Sequence, residues 1–413
     1  MQSFSVGTEP LKTSRDFRLL WLAALPGGLA MGAVGLAVFV QAYELTGSPA
    51  AVGAFGLVQF GAMFAGVVAG SAIVDHVDRR RLLLLTQAGF GISAVALLAG
   101  SLLGDPPLAL LYLSSGIGSA LASVHFPTRA AMITPVVEPA WLTTAMTLEM
   151  VVWNLTMIAG PIVGGIVLAA FGLEGVYALS AACHAISALT MLRLEPQAPA
   201  GEVVARRFGI AAVKRGLAYL RPRPILRGIL WTDLIVMALA MRRSLFPVLA
   251  VERFHAGAEV VGVLMAAIPA GALLVSLTGN WLVRVRRQGL WVVVAAAVWG
   301  IAMTAFGLSG DRLPLAVVLL AIAGGAHIVA AILRGTIIHQ QVPLDLRGRV
   351  WGINFLVLNG GPRLGDLSGG VAASFVGASA SVVGGSLAAL AGLAIYTVAT
   401  PSLLRYRSRE EAT

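Results

Sequence analysis

The sequence predicts an all-α polytopic membrane protein with 12 transmembrane helices in two pseudo-symmetric six-helix halves. The first observation is composition: 58% of the 413 residues are hydrophobic and 12% are charged, about half the charged share of a globular protein. The second is hydropathy, because the apolar runs are continuous over about 20 residues, the length that crosses hydrocarbon as a helix, and lack the alternation of a β-barrel. The third is a weak repeat between the two halves of the chain.

The distribution of basic residues predicts the topology. The expected spans are residues 18–43, 50–74, 82–104, 108–130, 142–171, 174–193, 225–251, 260–282, 289–309, 315–338, 350–376 and 379–403. All but five of the 29 Lys and Arg residues lie in the N-terminus, the C-terminal tail, or the loops and span ends on that same side. The opposite loops hold Arg253 and Arg312, and the spans hold Arg242, Arg243 and Arg363. The positive-inside rule therefore places both termini in the cytoplasm, and the net charge of +10 reports topology, so no nucleic-acid partner is expected.

Several function classes are disfavoured by what the sequence lacks. Residues 1–16 are polar and the first apolar run is too long for a cleaved signal peptide. The one cysteine, Cys183, excludes an intrachain disulfide, and His125, His184 and His327 lie within spans without metal-ligand spacing, so no metal is expected. No catalytic constellation or phosphate-binding Gly-Lys loop is present, so we expect neither an enzyme nor a cofactor. An ion gradient, with protons preferred, is the expected energy source.

A polar segment at 194–224 divides the chain into halves at 1–193 and 225–413. It opens with "EPQAPAGE", typical of a linker, and continues with "ARRFGIAAVKRGLAYL", whose apolar residues share one helical face. We expect a short helix on the inner membrane surface here. The halves repeat weakly: residues 52–80 align with the stretch from 261, and "GPIVGG" at 160–165 aligns with "GPRLGD" at 361–366. Such parallel repeats are typical of transporters.

The stretch "GSAIVDHVDRRR" at 70–81 resembles the signature loop of the major facilitator superfamily. The charged positions of that signature fall on Asp75, Arg79 and Arg80, and Gly70 adjoins its first glycine position, which Ser71 occupies. Asp78 replaces the second glycine, and the second-half copy has a basic residue in place of Asp75. The resemblance implies a cytoplasmic charge lock that biases a two-state conformational equilibrium. The alternative is that the arginines only fix topology.

The "GPIVGG" stretch in the fifth span resembles the motif of exporters in this superfamily. Gly160, Gly164 and Gly165 would let a neighbouring helix approach closely, and Pro161 would bend the span. Ordinary small-residue packing is the alternative for the glycines. The resemblance adds a direction of transport, because it favours export over uptake.

Stretches in both halves resemble the siderophore (enterobactin) exporter branch of bacterial efflux proteins. They are "DFRLLW", "AVGAFGLVQFGAMFAGVVAG", "MRRSLFPVLAVERF", "EVVGVLMAAIPAGALL" and "LRGRVWGIN". The resemblance implies the major facilitator fold and the export of a small organic molecule. Members of the superfamily usually act as monomers, and we expect the same here.

Charged residues within the eleventh and seventh spans are candidates for contact with cargo. Arg363 and Asp366 are three residues apart and are expected to pair on one helix face near mid-depth. Arg363 would then either bind an anionic or phenolic group of the cargo or pin its span through the pair. Arg242 and Arg243 lie about 100° apart on a helix, so one would line the cavity and the other would extend to the outer headgroups. The resemblance favours Arg243 as the inward residue.

Four further polar residues within spans complete the predicted site. Glu149 and Asp233 are carboxylates at membrane depth and are predicted to couple transport to protons, unless each is bound by a basic residue at the inner interface. His327, near mid-depth, and Asn154 could contact cargo or join helices.

The sequence therefore predicts a secondary active exporter of a siderophore-like or amphipathic small molecule. It would act by alternating access and proton antiport in a bacterial cytoplasmic (inner) membrane. A broad multidrug exporter is the alternative, followed by nutrient uptake and by a membrane scaffold that transports nothing. Buried ions in spans five, seven and eleven argue against the scaffold.

Overall fold

A computed structural model describes residues 7–73, 77–104, 106–197 and 210–407, which are helical over most of their length and contain no strand. In chain order, the helices are α1 (Glu9–Thr13), α2 (Arg15–Thr46), α3 (Pro49–Ile73), α4 (Arg79–Leu102), α5 (Leu108–Val136), α6 (Leu142–Met191), α7 (Ile210–Leu220), α8 (Pro224–Ala240), α9 (Phe246–Glu252), α10 (Ala258–Thr278), α11 (Gln288–Leu308), α12 (Leu313–Gln341), α13 (Leu344–Val376), α14 (Ala378–Ala399) and α15 (Pro401–Arg405). Short 3₁₀ turns precede α6, join α8 to α9, and follow α10.

The all-α polytopic membrane fold is confirmed. In the described part of the chain, ten helical segments are long and apolar enough to cross a membrane. One of them, Pro139–Met191, is interrupted at Gly172, where φ is 69°, and covers the expected spans five and six. The helix α13 covers expected span eleven, although its glycines and charged residues lower its hydropathy. If Pro139–Met191 is counted as two spans and α13 is added, the segments are consistent with twelve spans.

The helices form two compact units. Unit 1 comprises residues 1–45 and 61–206, and unit 2 comprises residues 46–60 and 207–413, so α3 contributes to both. The predicted limits of the halves and of the linker remain predictions. Many large apolar side chains are exposed, among them Leu103, Phe375 and Val398 at more than 80%, as expected for surfaces that face lipid.

The helix predicted in the linker corresponds to α7, although the beginning of the segment lies outside the described residues. In unit 2, α7 packs on α13: a Cβ added at Gly216 would lie 2.6 Å from Ile353 Cδ1. Leu220 is buried in the core of the unit, and Leu217 is exposed. Its position on the inner membrane surface remains a prediction.

The seventh span is broken in two. The helix α8 ends at Ala240, a 3₁₀ turn covers Arg243–Leu245, and α9 begins with Pro247 in its first turn. A proline ring clashes with the carbonyl four residues earlier and lacks an N–H, so it terminates the preceding helix and is accepted at the start of the next. Asp366 of α13 stabilises the break. Its Oδ1 accepts a hydrogen bond from the Ser244 N–H at 2.8 Å.

Arg242 is buried at this break, in a slot between α13 and α14. Its side chain is 4% exposed, and Nη1 donates to Ser381 Oγ at 3.1 Å. Ser381 uses its own hydroxyl hydrogen on the Gly369 carbonyl. A Cβ added at Gly369 would lie 2.6 Å from Arg242 Nη1, and one at Gly385 would lie 2.0 Å from Nη2. The two glycines therefore create the space that the guanidinium occupies.

The slot predicts that Gly385→Ala destabilises the protein. The new Cβ would meet Arg242 and also the Leu239 carbonyl oxygen at 2.3 Å, which belongs to a helix backbone and cannot rotate away. We expect a loss of about 1–3 kcal/mol, the usual cost of overpacking, seen as a lower Tm of the purified protein in detergent. Gly384→Ala is the matched control, since its Cβ would meet nothing within 4 Å. Equal Tm values for the two variants would contradict the claim that Gly385 makes room for the Arg242 side chain.

Candidate functional site

Unit 1 contains a cavity of about 250 Å³ between α2, α4, α5 and α6. Its walls include polar and charged side chains, aromatic rings and methionines, namely Gln87, His125, Arg129, Glu149, Thr156, Ser187, Phe90, Phe126, Trp153, Met31, Met146, Met150 and Met191. A concave, mainly apolar site with a few polar groups is the usual form of a small-molecule site. Of the residues predicted to contact cargo, none lines this cavity.

An ion pair crosses one side of the cavity. Arg129 Nη2 of α5 donates to Glu149 Oε1 of α6 at 2.7 Å, and the side chains are 11% and 19% exposed. Glu149 thus has the basic partner that the sequence left as an alternative to proton coupling. A partner does not exclude coupling, because protonation of the carboxylate would release the guanidinium. Arg129 Nε has no hydrogen-bond partner within the described part of the chain.

Two histidines are buried in unit 1, and one of them, His125, lines the cavity. Thr86 Oγ1 is 2.8 Å from His125 Nδ1, and Gln87 Nε2 is 2.8 Å from His184 Nδ1. Phe90 stands between the imidazoles, with ring centroids 5.8 Å from His125 and 5.4 Å from His184. Sequence analysis placed both histidines within spans but treated neither as part of a site. The polar residues Thr86 and Gln87 in an apolar run were the available signal.

Aromatic rings form another part of the cavity wall. Phe126 and Trp153 meet edge to face at 4.9 Å, and Phe126 also contacts the ring of His125 at 5.6 Å. Asn154 follows Trp153 on α6, but its Nδ2 donates to the Met150 carbonyl on its own helix at 2.8 Å. Contact between Asn154 and cargo remains a prediction.

Unit 2 holds a second buried ion pair. Arg334 of α12 binds Asp233 of α8, and their side chains are 2% and 4% exposed. The pair borders a small cavity of about 10 Å³ that His327 also lines. His327 packs edge to face against Trp299 at 5.5 Å. Asp233, like Glu149, therefore has the basic partner that the sequence allowed, while proton coupling and cargo contact stay predictions for these residues.

Asp366 and Arg363 of span eleven each bind a backbone group. Asp366 is 1% exposed, and its carboxylate binds the broken backbone at Ser244. Arg363 Nη1 donates to the Asn359 carbonyl at 2.6 Å, and Arg363 and Asp366 lie within electrostatic range of each other. Both residues lie within electrostatic range of Arg243. The structure thus gives Asp366 a role in holding the break, and contact of Arg363 or Asp366 with cargo remains a prediction.

The structure distinguishes the two arginines of span seven, whose roles the sequence left open. Arg242 is enclosed by protein and bound to Ser381, so it is not the residue that extends to the outer headgroups. The helical 100° argument fails because the helix ends before both residues. Arg243 is exposed, and it also lies within electrostatic range of His327. Its contact with cargo stays a prediction.

The arginines of the signature loop bind backbone carbonyls of unit 1. Arg79 Nη1 donates to the Ala131 carbonyl of α5 at 3.2 Å, and Arg80 Nη2 donates to the Leu192 carbonyl that follows α6. Pro135 has no N–H to offer the Ala131 carbonyl, and the end of α6 leaves the Leu192 carbonyl without an intrahelical donor, so each arginine supplies a missing donor. Gly70 is buried, and a Cβ there would lie 2.6 Å from Val124 Cγ2. Asp75 lies outside the described residues, and the charge lock remains a prediction.

The glycines of the fifth span bring α6 close to α2. A Cβ at Gly160 would lie 2.9 Å from Gly32 Cα, and one at Gly164 would lie 2.7 Å from Ala33 Cα. Pro161 and Gly165 are buried in the same helix. The close approach is the packing that the sequence suggested for these residues. This packing does not distinguish export from uptake.

Comparison with known proteins identifies the family. The family model described as "Transmembrane secretion effector" matches residues 6–408. Enterobactin exporters of Citrobacter koseri and of Escherichia coli O1:K1 are 31% identical to this chain over 353 residues, which are 85% of this chain and 84% of each exporter.

Solved structures agree on the fold. A POT family transporter superposes with a TM-score of 0.74 at 12% identity, covering 94% of this chain and 97% of that one. A bacterial homologue of the iron transporter ferroportin gives a TM-score of 0.70 at 14% identity, over 94% and 98% of the two chains. The chain therefore belongs to the transmembrane secretion effector family of the major facilitator superfamily, in the branch of the enterobactin exporters.

Proposed function

We propose that the protein is a secondary active exporter of a small organic molecule, working by alternating access. The observation that carries this proposal is the similarity to enterobactin exporters over 85% of the chain, together with a family model that describes secretion. The cargo class is a siderophore-like or other amphipathic metabolite. The cavity in unit 1 supports it, because apolar walls and a few polar groups suit an amphipathic guest.

The proposed location is the bacterial cytoplasmic membrane, with both termini in the cytoplasm. The described helices are long and apolar enough for a multi-pass protein, and the basic residues gather on the side of the termini. The proposed partners are the lipid bilayer and the cargo, with the chain acting as a monomer.

We propose proton antiport as the energy source, with Glu149 and Asp233 as the coupling residues. Each carboxylate is bound to an arginine in a region that little solvent reaches. Protonation would neutralise the carboxylate and free its arginine, which gives the site two charge states with different contacts. Cargo that binds one state better than the other would then exchange with protons.

Broad multidrug export is the second candidate. It is favoured by the four methionines in the cavity wall, Met31, Met146, Met150 and Met191. Methionine side chains are flexible and polarisable, and they are common at surfaces that accept many partners. Growth of cells with and without the protein on a panel of unrelated drugs separates the two candidates, because a narrow exporter protects against few of them.

Glu149→Gln is expected to abolish proton exchange. Everted vesicles are given an inward-acid pH gradient, and alkalinisation is followed as candidate siderophores and drugs are added. The wild type should alkalinise the interior when cargo arrives, and the variant should not, because its amide carries no exchangeable charge. Glu174→Gln, on the same helix beyond the break at Gly172, is the matched control and should behave as the wild type.

The double variant Glu149→Gln/Arg129→Gln separates coupling from structure. Removing one partner of a buried pair costs about 3–5 kcal/mol, whereas removing both charges leaves no unpaired ion. If Glu149 only neutralises Arg129, the double variant regains cargo-driven alkalinisation. If Glu149 is the coupling residue, the double variant should show no cargo-driven alkalinisation although it is folded and present. Recovery would overturn the assignment of Glu149.

Arg363→Ala is expected to raise KM about tenfold or more for an anionic or phenolic cargo, with a smaller change for a neutral one, since a hydrogen bond to a charged group contributes about 1.5–3 kcal/mol. Arg363→Lys keeps the charge and should retain part of the affinity. Arg312→Ala, an exposed arginine outside the helices, is the control. If Arg363→Ala changed KM equally for charged and neutral cargos, the assignment of Arg363 to the binding site would be wrong.

A further inference from the structure

The ion pair of unit 2 leaves one carboxylate oxygen without a partner. Arg334 Nη1 binds Asp233 Oδ1, and the two side chains are 2% and 4% exposed. Asp233 Oδ2 is buried and has no hydrogen-bond partner within the described part of the chain. A buried ion pair offsets its desolvation only when the remaining lone pairs of the carboxylate are also hydrogen-bonded. Asp233 Oδ2 therefore needs a donor.

Two other buried polar atoms in the same part of unit 2 also lack partners. Trp299 of α11 is 1% exposed, and its indole Nε1 makes no hydrogen bond to the described residues. The same holds for the hydroxyl of Thr232 on α8, which is also 1% exposed. Buried polar groups in native proteins almost always have a partner, either in the protein or in ordered water. Three unpartnered atoms close together therefore indicate a common partner.

Thr232, Asp233 and Trp299 all line one small cavity. It lies between α8, α11 and α12, has a volume of about 10 Å³, and is also bordered by Arg334 and His327. One water molecule needs about 10–15 Å³ of space that its centre can occupy, together with two to four polar partners. The cavity thus has room for one water molecule, and three side chains in its wall have unused hydrogen-bonding capacity.

The chemistry of these groups selects water over an ion. A carboxylate oxygen accepts hydrogen bonds, whereas the indole N–H of Trp299 only donates, so an occupant that serves both must donate and accept. A metal cation or an ammonium ion has no lone pair for the indole N–H, and the Arg334 guanidinium would repel it. A halide has no hydrogen to donate to Asp233. Water has both, and the Thr232 hydroxyl can either donate to it or accept from it.

We propose that this cavity is a binding site for one water molecule. The water donates to Asp233 Oδ2, accepts from Trp299 Nε1 and has Thr232 Oγ1 as its third partner. It thereby joins α8 to α11, next to the ion pair through which Arg334 joins α8 to α12. Asp233 is then hydrogen-bonded at both oxygens, and the buried ion pair is complete.

The water site also bears on the proposed role of Asp233 in proton coupling. Arg334 occupies Oδ1, so the oxygen that remains for protonation is Oδ2, which is the oxygen that the water contacts. This consequence rests on the proposed function. The site itself rests on the cavity and on the unpartnered atoms of its wall.

NMR of the tryptophan indoles tests for the water directly. The full-length protein carries ¹⁵N-labelled tryptophan in lipid nanodiscs, and the indole signal absent from Trp299→Phe belongs to Trp299. Its indole hydrogen should show a cross-peak at the water frequency with opposite signs in NOE and ROE spectra, which a bound water gives and exchange of the N–H hydrogen does not. If the Trp299 indole shows no such cross-peak, the proposal is wrong.

Ala296→Val is expected to remove this cross-peak. Ala296 lines the cavity, and two added methyl groups would take the space of one water molecule. Ala297→Val, at the next position of α11, is the matched control and should keep the cross-peak, since Ala297 is half-buried and outside the cavity lining. The other indole signals report whether each variant is folded. A cross-peak that survives in a folded Ala296→Val protein would contradict the site.

Thr232→Val keeps the shape of the side chain and removes its hydroxyl. If the cavity holds a water, this hydroxyl is hydrogen-bonded, and its loss should lower the Tm. In a dry cavity the hydroxyl is a buried group without a partner, so a higher Tm in the variant would overturn the proposal. The Trp299 cross-peak should persist, because Asp233 and Trp299 still hold the water. Its loss would assign the signal to the exchanging Thr232 hydroxyl and count against the site.

These measurements need no pH gradient and no cargo, so they are independent of the transport assays. A bound water at Trp299, in a protein that shows no cargo-driven alkalinisation, would support the site and contradict the proposed function. Cargo-driven alkalinisation without the cross-peak would do the reverse.

Discussion

The structure depends on one constraint, which is that an ion within a hydrocarbon layer must have a partner. Glu149 binds Arg129, Asp233 binds Arg334, and the Asp366 carboxylate binds a backbone N–H. The desolvation cost of an isolated charge would exceed what packing can return. The helices that carry these residues are therefore held by specific polar contacts, and a change of charge on one member would release its partner.

The break in the seventh span shows how the same constraint shapes the backbone. Ending a helix inside the membrane frees N–H and C=O groups that water cannot reach, so they need acceptors and donors from neighbouring helices. Asp366 meets this need at Ser244, and the nearby guanidinium of Arg242 has Ser381. Gly385 has no side chain, which leaves room for the guanidinium. The buried charge of Arg242 therefore requires glycine at 369 and 385.

The cavity of unit 1 differs, because polar side chains in its wall are hydrogen-bonded to neighbouring protein groups. The Thr86 and Thr156 hydroxyls bind backbone carbonyls and Gln87 Nε2 binds His184, which orients these side chains. An arrangement of this kind is rigid before a guest enters, so little ordering is lost on binding. Methionines in the same wall supply the part of the surface that can adjust. Such a combination gives a directional polar contact within an adaptable apolar site.

The sequence by itself determined the class of fold, the approximate spans and the candidate intramembrane charges, because hydropathy and charge are properties of local segments. It located Glu149 and Asp233, and it matched the family that comparison confirms. Only the tertiary structure decided that Arg129 and Arg334 are their partners, that Arg242 is enclosed, and which side chains share a cavity. Those choices depend on distances between helices that are remote in sequence, and no local pattern along the chain encodes them.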